Sequence, residues 1–537
     1  MGPRARAWGP RGGAILAGLA AAFAHPPFGV LPGLLGYAGI LWLCDRADAA
    51  RPSRSAFLRG WLAGLAYFAV STWWIGEAFF VDAADQAWMA PFAVAGMAAG
   101  LGLFWAAAAA LYRVLAPAGP LRLLVFAGAF AGCEWLRGHL LTGFPWDLPG
   151  ETWRAGSAPS QIASVVGAYG LTWLTLAIAA APGLGLRTRA ERLAIATAIL
   201  TLAGLYGYGA GRLASAETVP APNAPVIRVV QPDTPELASY DAAAFANVLK
   251  RNLDLTREPP APGERAPTVI VWSEAGLPAA LDDYLAPGSW TFAQIQSALR
   301  PGQTLMTGGY RDQPATPGAY APDGFVYHNS LIALTRGAAG LTVTALYDKY
   351  RLVPFGEYLP FDRELAPLGI KQLVHLGEGF TPGPPPRPIA PVGVPAVQPL
   401  ICYESLFPGF TSDAARRAGA RPFWIVNISD DAWFGVTSGP WQHLNLASYR
   451  AIEEGLPMVR ATPTGVSAVI DAYGRTLPGK RLGQGAYGAI DSVLPPALPQ
   501  TTFEVCGGVM FAAMLLISLA STLPVWRIIR RRGGNAG

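Results

Sequence analysis

Apolar residues are concentrated in the first two-fifths of the chain and again near residue 510, and the stretch between them alternates short apolar runs with polar segments. The apolar part offers eight candidate spans: Ala14–Ala24, Phe28–Cys44, Phe57–Phe80, Ala87–Leu111, Leu121–Leu141, Ile162–Leu184, Leu193–Tyr208 and Phe503–Trp526. The first is short, because eleven residues at about 1.5 Å each cover roughly half of a bilayer core of about 30 Å. From 213 to 502 the pattern is that of an α/β protein. Expected strands are Val226–Val230, Val269–Trp272, Thr304–Thr307, Val326–Leu334, Leu341–Leu346, Ala396–Ile401, Phe423–Ile428 and Ser467–Ile470, with helices over Asp241–Asp254, Trp290–Leu299 and Trp441–Glu454. Glu258–Pro267 and Pro382–Pro391 are too proline-rich for regular structure and read as surface loops. If 364–377 is helical, Leu365, Leu368, Leu373 and Leu376 share one side, as a lid meeting lipid or as a face packed on the core.

Charge orders the spans. The connections holding Arg46, Arg51, Arg54 and Arg59, then Arg113 and Arg122, then Arg187, Arg189 and Arg192, are basic and alternate with the acidic Glu77–Asp85 stretch and the longer 142–160 loop. Short basic loops stay in the cytoplasm. One span over Ala14–Cys44 would put the Arg46–Arg59 loop outside, so two short spans are expected there and about eight in all. Arg527, Arg530, Arg531 and Arg532 place the tail inside, which leaves the α/β region on the extracytoplasmic face. The expected division is a seven-span bundle over 1–212, an extracytoplasmic domain over 213–502, and a final span with a basic cytoplasmic tail over 503–537. A cleaved signal peptide is the other reading of the start, given Arg4, Arg6 and Arg11 ahead of Ala22-Phe23-Ala24; its removal would not change the orientation.

Composition agrees with a membrane protein: 52% of residues are hydrophobic and 14% charged, against about a quarter charged in ordinary soluble domains. The net charge of +5 is accounted for by the loop arginines, so it does not indicate nucleic-acid binding. Four cysteines exclude a disulfide scaffold. Cys402 is the one cysteine of 213–502, in a compartment where disulfides are the norm, and is either a small buried hydrophobe or a thiol kept for chemistry.

Three expected strand ends carry unusual polar groups. Ala396–Ile401 delivers Cys402, Val269–Trp272 delivers Glu274, and Leu341–Leu346 is followed by Lys349, with Glu357 eight residues on. Each alone reads as well as a surface charge or a core thiol. Together they form a plausible set of general base, oxyanion-stabilising ammonium and nucleophile. His328, His375 and His443 follow no apolar strand and read as turn or helix residues. With no HExxH, CxxC, P-loop or credible GxGxxG, no metal, nucleotide or other cofactor is expected. In the apolar half, Gly143–Gly150 suits an aromatic loop at the headgroup level or one that meets a lipid substrate, while Glu134, Arg137 and His139 are free to snorkel or pair.

Four motifs in order, Trp272-Ser-Glu274-Ala, Asp348-Lys349-x-x-Leu-Val-Pro-Phe-Gly-Glu357-Tyr, Ile401-Cys402-Tyr403-Glu404 and Asp431-Ala-Trp433-Phe-Gly, resemble the apolipoprotein N-acyltransferases, a membrane-embedded branch of the nitrilase (carbon–nitrogen hydrolase) superfamily. The resemblance covers nearly the whole chain. It implies a nitrilase-like α-β-β-α sandwich in the extracytoplasmic domain, and a Glu274/Lys349/Cys402 triad with Glu357 supporting the lysine and Tyr403, Glu404 and Trp433 around the pocket. By the same analogy Cys402 takes an acyl chain from a phospholipid as a thioester and passes it to the α-amine of a diacylglyceryl-cysteine apolipoprotein, in the bacterial inner membrane and on its periplasmic side. The expected partners are those two lipid substrates and the bilayer, with the protein a monomer. Two positions depart from the family pattern and bear on substrate fit: Asp430, where an asparagine is common, and Tyr240, where a tryptophan is. The competing readings are a membrane-tethered amidase acting on a soluble carbon–nitrogen substrate, and a receptor or transporter with a degenerate nitrilase-like domain.

Overall fold

The computed structural model describes residues 3–237, 239–315, 324–360 and 379–523. The leucine-bearing stretch 364–377, His375 and the basic tail lie outside the described residues. Two compact units result: Met1–Ala216 with Trp441–Glu453 and the chain from Gln500 on, and Glu217–Pro440 with Glu454–Pro499.

Among the described residues, seven helices longer than ten residues open the helical unit: α1 (Pro3–Phe23), α2 (Leu35–Asp45), α3 (Pro52–Ser71), α4 (Ala90–Leu115), α5 (Arg122–Arg137), α6 (Ala163–Ala180) and α7 (Arg189–Ala214). Helix α1 is 21 residues long rather than eleven, because hydropathy marks the apolar part of a helix and not its ends. The expected span Phe57–Phe80 is interrupted: α3 stops at Ser71, where Thr72 leaves the helical region and its hydroxyl donates to Phe68 O, and Trp73–Phe80 continues as 3-10 turns. Helices α3 and α4 pack backbone to backbone, since a Cβ on Gly64 would lie 2.8 Å from Gly102 Cα. Thr188 and Glu191 cap α7 reciprocally, N–H to side chain at 3.1 and 2.9 Å. By length and composition, three helical stretches among the described residues suffice to cross a membrane: Ala83–Leu115, Pro159–Leu184 and Arg189–Ala214.

Among the described residues of the second unit, eleven strands form two sheets. One has the order β11-β1-β2-β3-β4-β5 and the other β10-β9-β8-β7-β6. In chain order they are β1 (Val226–Gln231), β2 (Val269–Val271), β3 (Thr304–Pro314), β4 (Phe325–Arg336), β5 (Leu341–Asp348), β6 (Val397–Ile401), β7 (Trp424–Ile428), β8 (Met458–Ala461), β9 (Ser467–Ile470), β10 (Thr476–Leu482) and β11 (Gly488–Val493). One face of each sheet meets in a common core, with Val229, Val271, Met306 and Leu331 from the first against Ile401, Val426, Val459 and Val469 from the second. The outer face of the first sheet is covered by α8 (Ala242–Arg257) and α9 (Trp290–Ala298), through Phe245, Leu249, Leu253 and Ile295. The four-residue spacing of Phe245, Leu249 and Leu253 is what commits α8 to that face.

Three strands escape the hydrophobic pattern. β8 is only four residues long, β10 carries Pro478-Gly479, and β11 holds its place by antiparallel pairing with β1, Val226 opposite Val493. His328, expected in a turn or helix, lies inside β4 opposite Arg311. The β3–β4 hairpin runs on past its apolar section, so that polar residues continue as strand.

Helix α10 (Phe410–Ala418) precedes β7, and α11 (Gly439–Glu454) follows it. Trp441–Glu453 of α11 cluster with the helical unit, and the reason is polar. Gln442 donates to Asp147 Oδ2 at 3.0 Å, Asn445 accepts from Ala155 N at 2.8 Å and donates to Glu151 O at 3.0 Å, and Glu453 accepts from Ala168 N at 2.7 Å. The loop Gly143–Gly150 is thereby largely buried rather than spread at a headgroup level, with the Trp146 ring tilted against Trp74 at 4.5 Å between centroids. The expected span Phe503–Trp526 is broken at Gly507, whose φ is +55°, before α12 (Val509–Ala520) begins. Trp173 donates to Ser518 of α12 at 2.8 Å.

Candidate active site

β2 pairs in parallel with β3, and the β3–β4–β5 meander then returns β5 to the direction of β2. Glu274, just past β2, and Lys349, just past β5, therefore leave the sheet at the same edge. The Lys349 N–H donates to Asn329 O at 2.8 Å, extending the ladder by one bond and fixing where the side chain starts. Gly308 of β3 makes room for Glu274, because a Cβ there would lie 2.1 Å from the Glu274 carbonyl oxygen. In the second sheet β6 and β7 are parallel, and Cys402 and Ser429 follow directly after their last paired residues.

Lys349 Nζ lies 3.1 Å from Glu274 Oε1 and 2.8 Å from Glu357 Oε1. Asn329 Nδ2 donates to the same two oxygens, at 2.7 and 2.9 Å. The second oxygen of Glu274 accepts from Asp430 N at 2.7 Å, and that of Glu357 from Val353 N at 2.8 Å. Burial opposes the Lys349 charge, but Glu274 and Glu357 outweigh it and hold the ammonium well above its ordinary value.

Cys402 has φ +48°. For a residue with a Cβ that conformation costs about 1–2 kcal/mol, and it is the kind of strained turn that lifts a nucleophile off a strand end. The half-buried thiol feels Glu274 and Lys349 and is hydrogen-bonded to the Ser429 side chain. Burial pushes it up, Glu274 adds to that, and Lys349 and Ser429 oppose it. Free thiolate is consequently scarce near neutrality, so any nucleophilic attack requires a base that takes the proton during the step.

The other expected site residues divide. Glu404 is buried under the site and ties the two sheets together: its carboxylate accepts from Tyr347 Oη at 2.8 Å, Tyr350 N at 2.8 Å and Ile401 N at 2.9 Å. Burial raises it to about 7, against those donors. Tyr403 is buried with its ring edge-on to Phe407 at 5.1 Å. Trp433 is 41% exposed, in the 3-10 turn Asp431–Phe434. His328 bonds Gln313 Nε2 and Thr381 O, both at 2.9 Å, and so is held by groups outside the Glu274–Lys349 network. No cluster of three or more His, Cys, Asp or Glu side chains among the described residues is placed to hold a metal ion.

Sequence reasoning missed Asn329 and Ser429. The polar triplet His328-Asn329-Ser330 inside an otherwise apolar strand was the available signal for Asn329. Ser429 carried none, because its position beside the thiol depends on β6 and β7 being neighbours.

Comparison with known proteins gives the family. Residues 17–181 match the apolipoprotein N-acyltransferase N-terminal domain and residues 227–494 the carbon–nitrogen hydrolase domain. A curated apolipoprotein N-acyltransferase of Caulobacter vibrioides is 55% identical over 516 residues, 96% of this chain and 94% of its own. The chain belongs to the apolipoprotein N-acyltransferase family. Curated members from Rhodopseudomonas palustris, 37% identical over 95% of both chains, and Bradyrhizobium diazoefficiens, 39% identical over 97% of this chain and 95% of its own, are similar along almost their full length. In this family member the Glu274–Lys349–Cys402 group lies wholly within the carbon–nitrogen hydrolase match.

Proposed function

We propose that this protein transfers an acyl chain from a phospholipid, through a thioester on Cys402, to the N-terminal α-amine of a diacylglyceryl-cysteine apolipoprotein, giving a triacylated lipoprotein. The observation that carries the reading is the single ammonium of Lys349 bonded to both Glu274 and Glu357 beside a strained, half-buried thiol. Glu274 takes the thiol proton as Sγ attacks the ester carbonyl, and Lys349 faces the oxyanion as it forms. The tetrahedral intermediate collapses with the lysophospholipid leaving as an alcohol, protonated by Glu274. In the second half-reaction the amine attacks the thioester, Glu274 takes its proton, and the thiol is restored. A thiolate leaves far more readily than an alkoxide, so the thioester remains reactive toward an amine after the ester donor has gone. Glu357 and Asn329 hold the lysine and the base in register. Tyr403, Glu404 and Trp433 shape the surroundings.

The same reading includes an eight-span protein of the bacterial inner membrane, active as a monomer. The bundle covers 1–212, the catalytic domain 213–502 on the periplasmic side, and the final span and tail 503–537. Its support is the alternation of basic and acidic loops along the helical part. A cysteine introduced at Lys250, whose side chain is 72% exposed on α8, tests the orientation. Labelling by a membrane-impermeant reagent is expected in intact spheroplasts, and labelling only after lysis overturns the periplasmic placement. Incubation of purified protein with phospholipid is expected to give lysophospholipid and a hydroxylamine-labile acyl adduct on Cys402, which a diacylglyceryl-cysteine peptide discharges onto its own amine. Release of ammonia from simple amides without any adduct would make the protein a tethered amidase instead.

A further inference from the structure

The second sheet buries a cation of its own, Arg460 of β8. Across β6, β7 and β8 the register sets Leu400 opposite Asn427 and Asn427 opposite Arg460. Their strand neighbours Val426, Ile428, Val459 and Ala461 point into the core shared by the two sheets, so strand alternation turns Asn427 and Arg460 to the other face. Both are fully buried there.

The Arg460 guanidinium has two destinations. One nitrogen, Nη2, donates to both oxygens of Asp431, at 2.9 and 2.7 Å, and the other, Nη1, donates to Asn427 Oδ1. Asp431 Oδ1 also accepts from Ser429 Oγ at 2.8 Å, and the Ser429 N–H donates to Ala461 O at 3.0 Å, one residue past Arg460. The residues on either side of Asp430 are thereby tied to β8, and the Asp430 N–H between them donates to Glu274 Oε2 at 2.7 Å. Gly465 leaves the space this needs, because a Cβ there would lie 2.4 Å from Asp431 Cβ. On the other branch, Asn427 Nδ2 donates at 2.8 Å to the carbonyl of Leu400, two residues before Cys402.

A buried ion pair is often no more stabilising than apolar side chains of the same volume, so stability alone does not account for an arginine enclosed at this place. Its geometry does. A planar guanidinium bonds in two fixed directions at once, which a single ammonium does not reproduce. We propose that Arg460 is a positioning residue that sets the base against the nucleophile: through Asp431 it fixes the backbone donor on Glu274, and through Asn427 it fixes the carbonyl from which the chain turns into Cys402. The proposal rests on the reading of Glu274 as the base and Cys402 as the nucleophile of an acyl transfer.

A double-mutant cycle separates positioning from mere support of the fold. Wild type, Arg460→Met, Glu274→Gln and the double variant are compared as full-length proteins in two measurements. One is single-turnover formation of the hydroxylamine-labile adduct from phospholipid vesicles. The other is alkylation by iodoacetamide, followed by mass spectrometry on the peptide that carries Cys402. Arg460→Met is expected to slow the limiting rate of adduct formation about 10²-fold, as a misplacement of about 1 Å does, with the half-saturating phospholipid concentration unchanged. In the Glu274→Gln background the same substitution is expected to cost less than about threefold, since without its base there is no alignment left to lose. A loss of the same size in both backgrounds, or one seen only in the half-saturating concentration, overturns the proposal. If Arg460→Met does not fold, Asp431→Asn, which keeps the shape and drops the charge, takes its place in the cycle with the same expectation. A wild type that is alkylated at Cys402 but gives no adduct with phospholipid sinks the acyl-transfer reading, and the alkylation cycle then still decides whether Arg460 sets Glu274 against the thiol.

Discussion

Each unit buries a cation between two carboxylates, and the two arrangements serve different ends. In the α/β unit Lys349 lies between Glu274 and Glu357, at 3.1 and 2.8 Å. In the helical unit Arg450 lies between Glu151 and Glu453, at 3.5 and 2.7 Å. The charges match one for one, but the surroundings do not. Around Arg450 the carboxylates also take backbone donors, Leu148 N on Glu151 at 3.1 Å and Ala168 N on Glu453 at 2.7 Å, and all three side chains are at most 1% exposed. Around Lys349 the carboxylates keep 10% and 11% exposure, and a strained thiol shares their field. Arginine suits the first place because its planar fork stays charged and bonds in several directions; lysine suits the second because a compact point charge can follow an oxyanion. Under the proposed function, access and an adjoining thiol are what make the Lys349 cluster reactive, whereas enclosure makes the same charges around Arg450 an anchor for α11.

The largest expected effect breaks the reactive cluster while sparing its structure. Glu274→Gln keeps the Lys349–Glu357 pair, so adduct formation on Cys402 should fall about 10²–10⁴-fold, with the unfolding midpoint nearly unchanged. An equal loss of rate and of stability would make Glu274 an anchor like Glu151. Next, Arg450→Met leaves Glu151 and Glu453 buried without their cation and should cost about 3–5 kcal/mol of stability, seen as a lower thermal midpoint in detergent. No change would mean that the backbone donors alone hold α11.

The third expectation concerns Glu404, which burial raises from 4.5 to about 7. A carboxyl raised in the folded state contributes most stability below its unfolded value. That contribution is lost as pH climbs from about 4.5 to about 7 and is constant above, a change on the order of 3 kcal/mol. Glu404→Gln should flatten the fall in unfolding midpoint over this window, although the amide forfeits some of the N–H bonds from Ile401 and Tyr350. The smallest stability change is expected at the exposed Trp433: Trp433→Ala should shift stability by no more than about 0.5 kcal/mol. A clear loss of acylation from vesicles would then report substrate contact, and an unaltered rate would remove Trp433 from the site.

Much of the site was legible because it lies where apolar runs stop. The runs before Glu274 and Cys402 are buried on both faces while that before Lys349 is partly exposed, but each ends at a residue whose chemistry is visible at its own position. Asn329 was less visible, since its role is to bridge two carboxylates 55 residues before it and 28 after it in sequence. The strands β8, β10 and β11 and the break at Ser71 were missed for a related reason: they are specified by a pairing partner or by a hydroxyl bonding back to a carbonyl, not by periodicity.

By itself the sequence determined the apolar and α/β parts, the order of most strands and which residues are candidates for the chemistry, because burial and charge leave a local mark on the residues that undergo them. Only the tertiary structure decided that α11 clusters with the helices and that Asp430 delivers its backbone N–H to Glu274. Those arrangements depend on hydrogen bonds between groups far apart in the chain, and a hydrogen bond, unlike a hydrophobic run, leaves no repeat along the sequence to announce its partner.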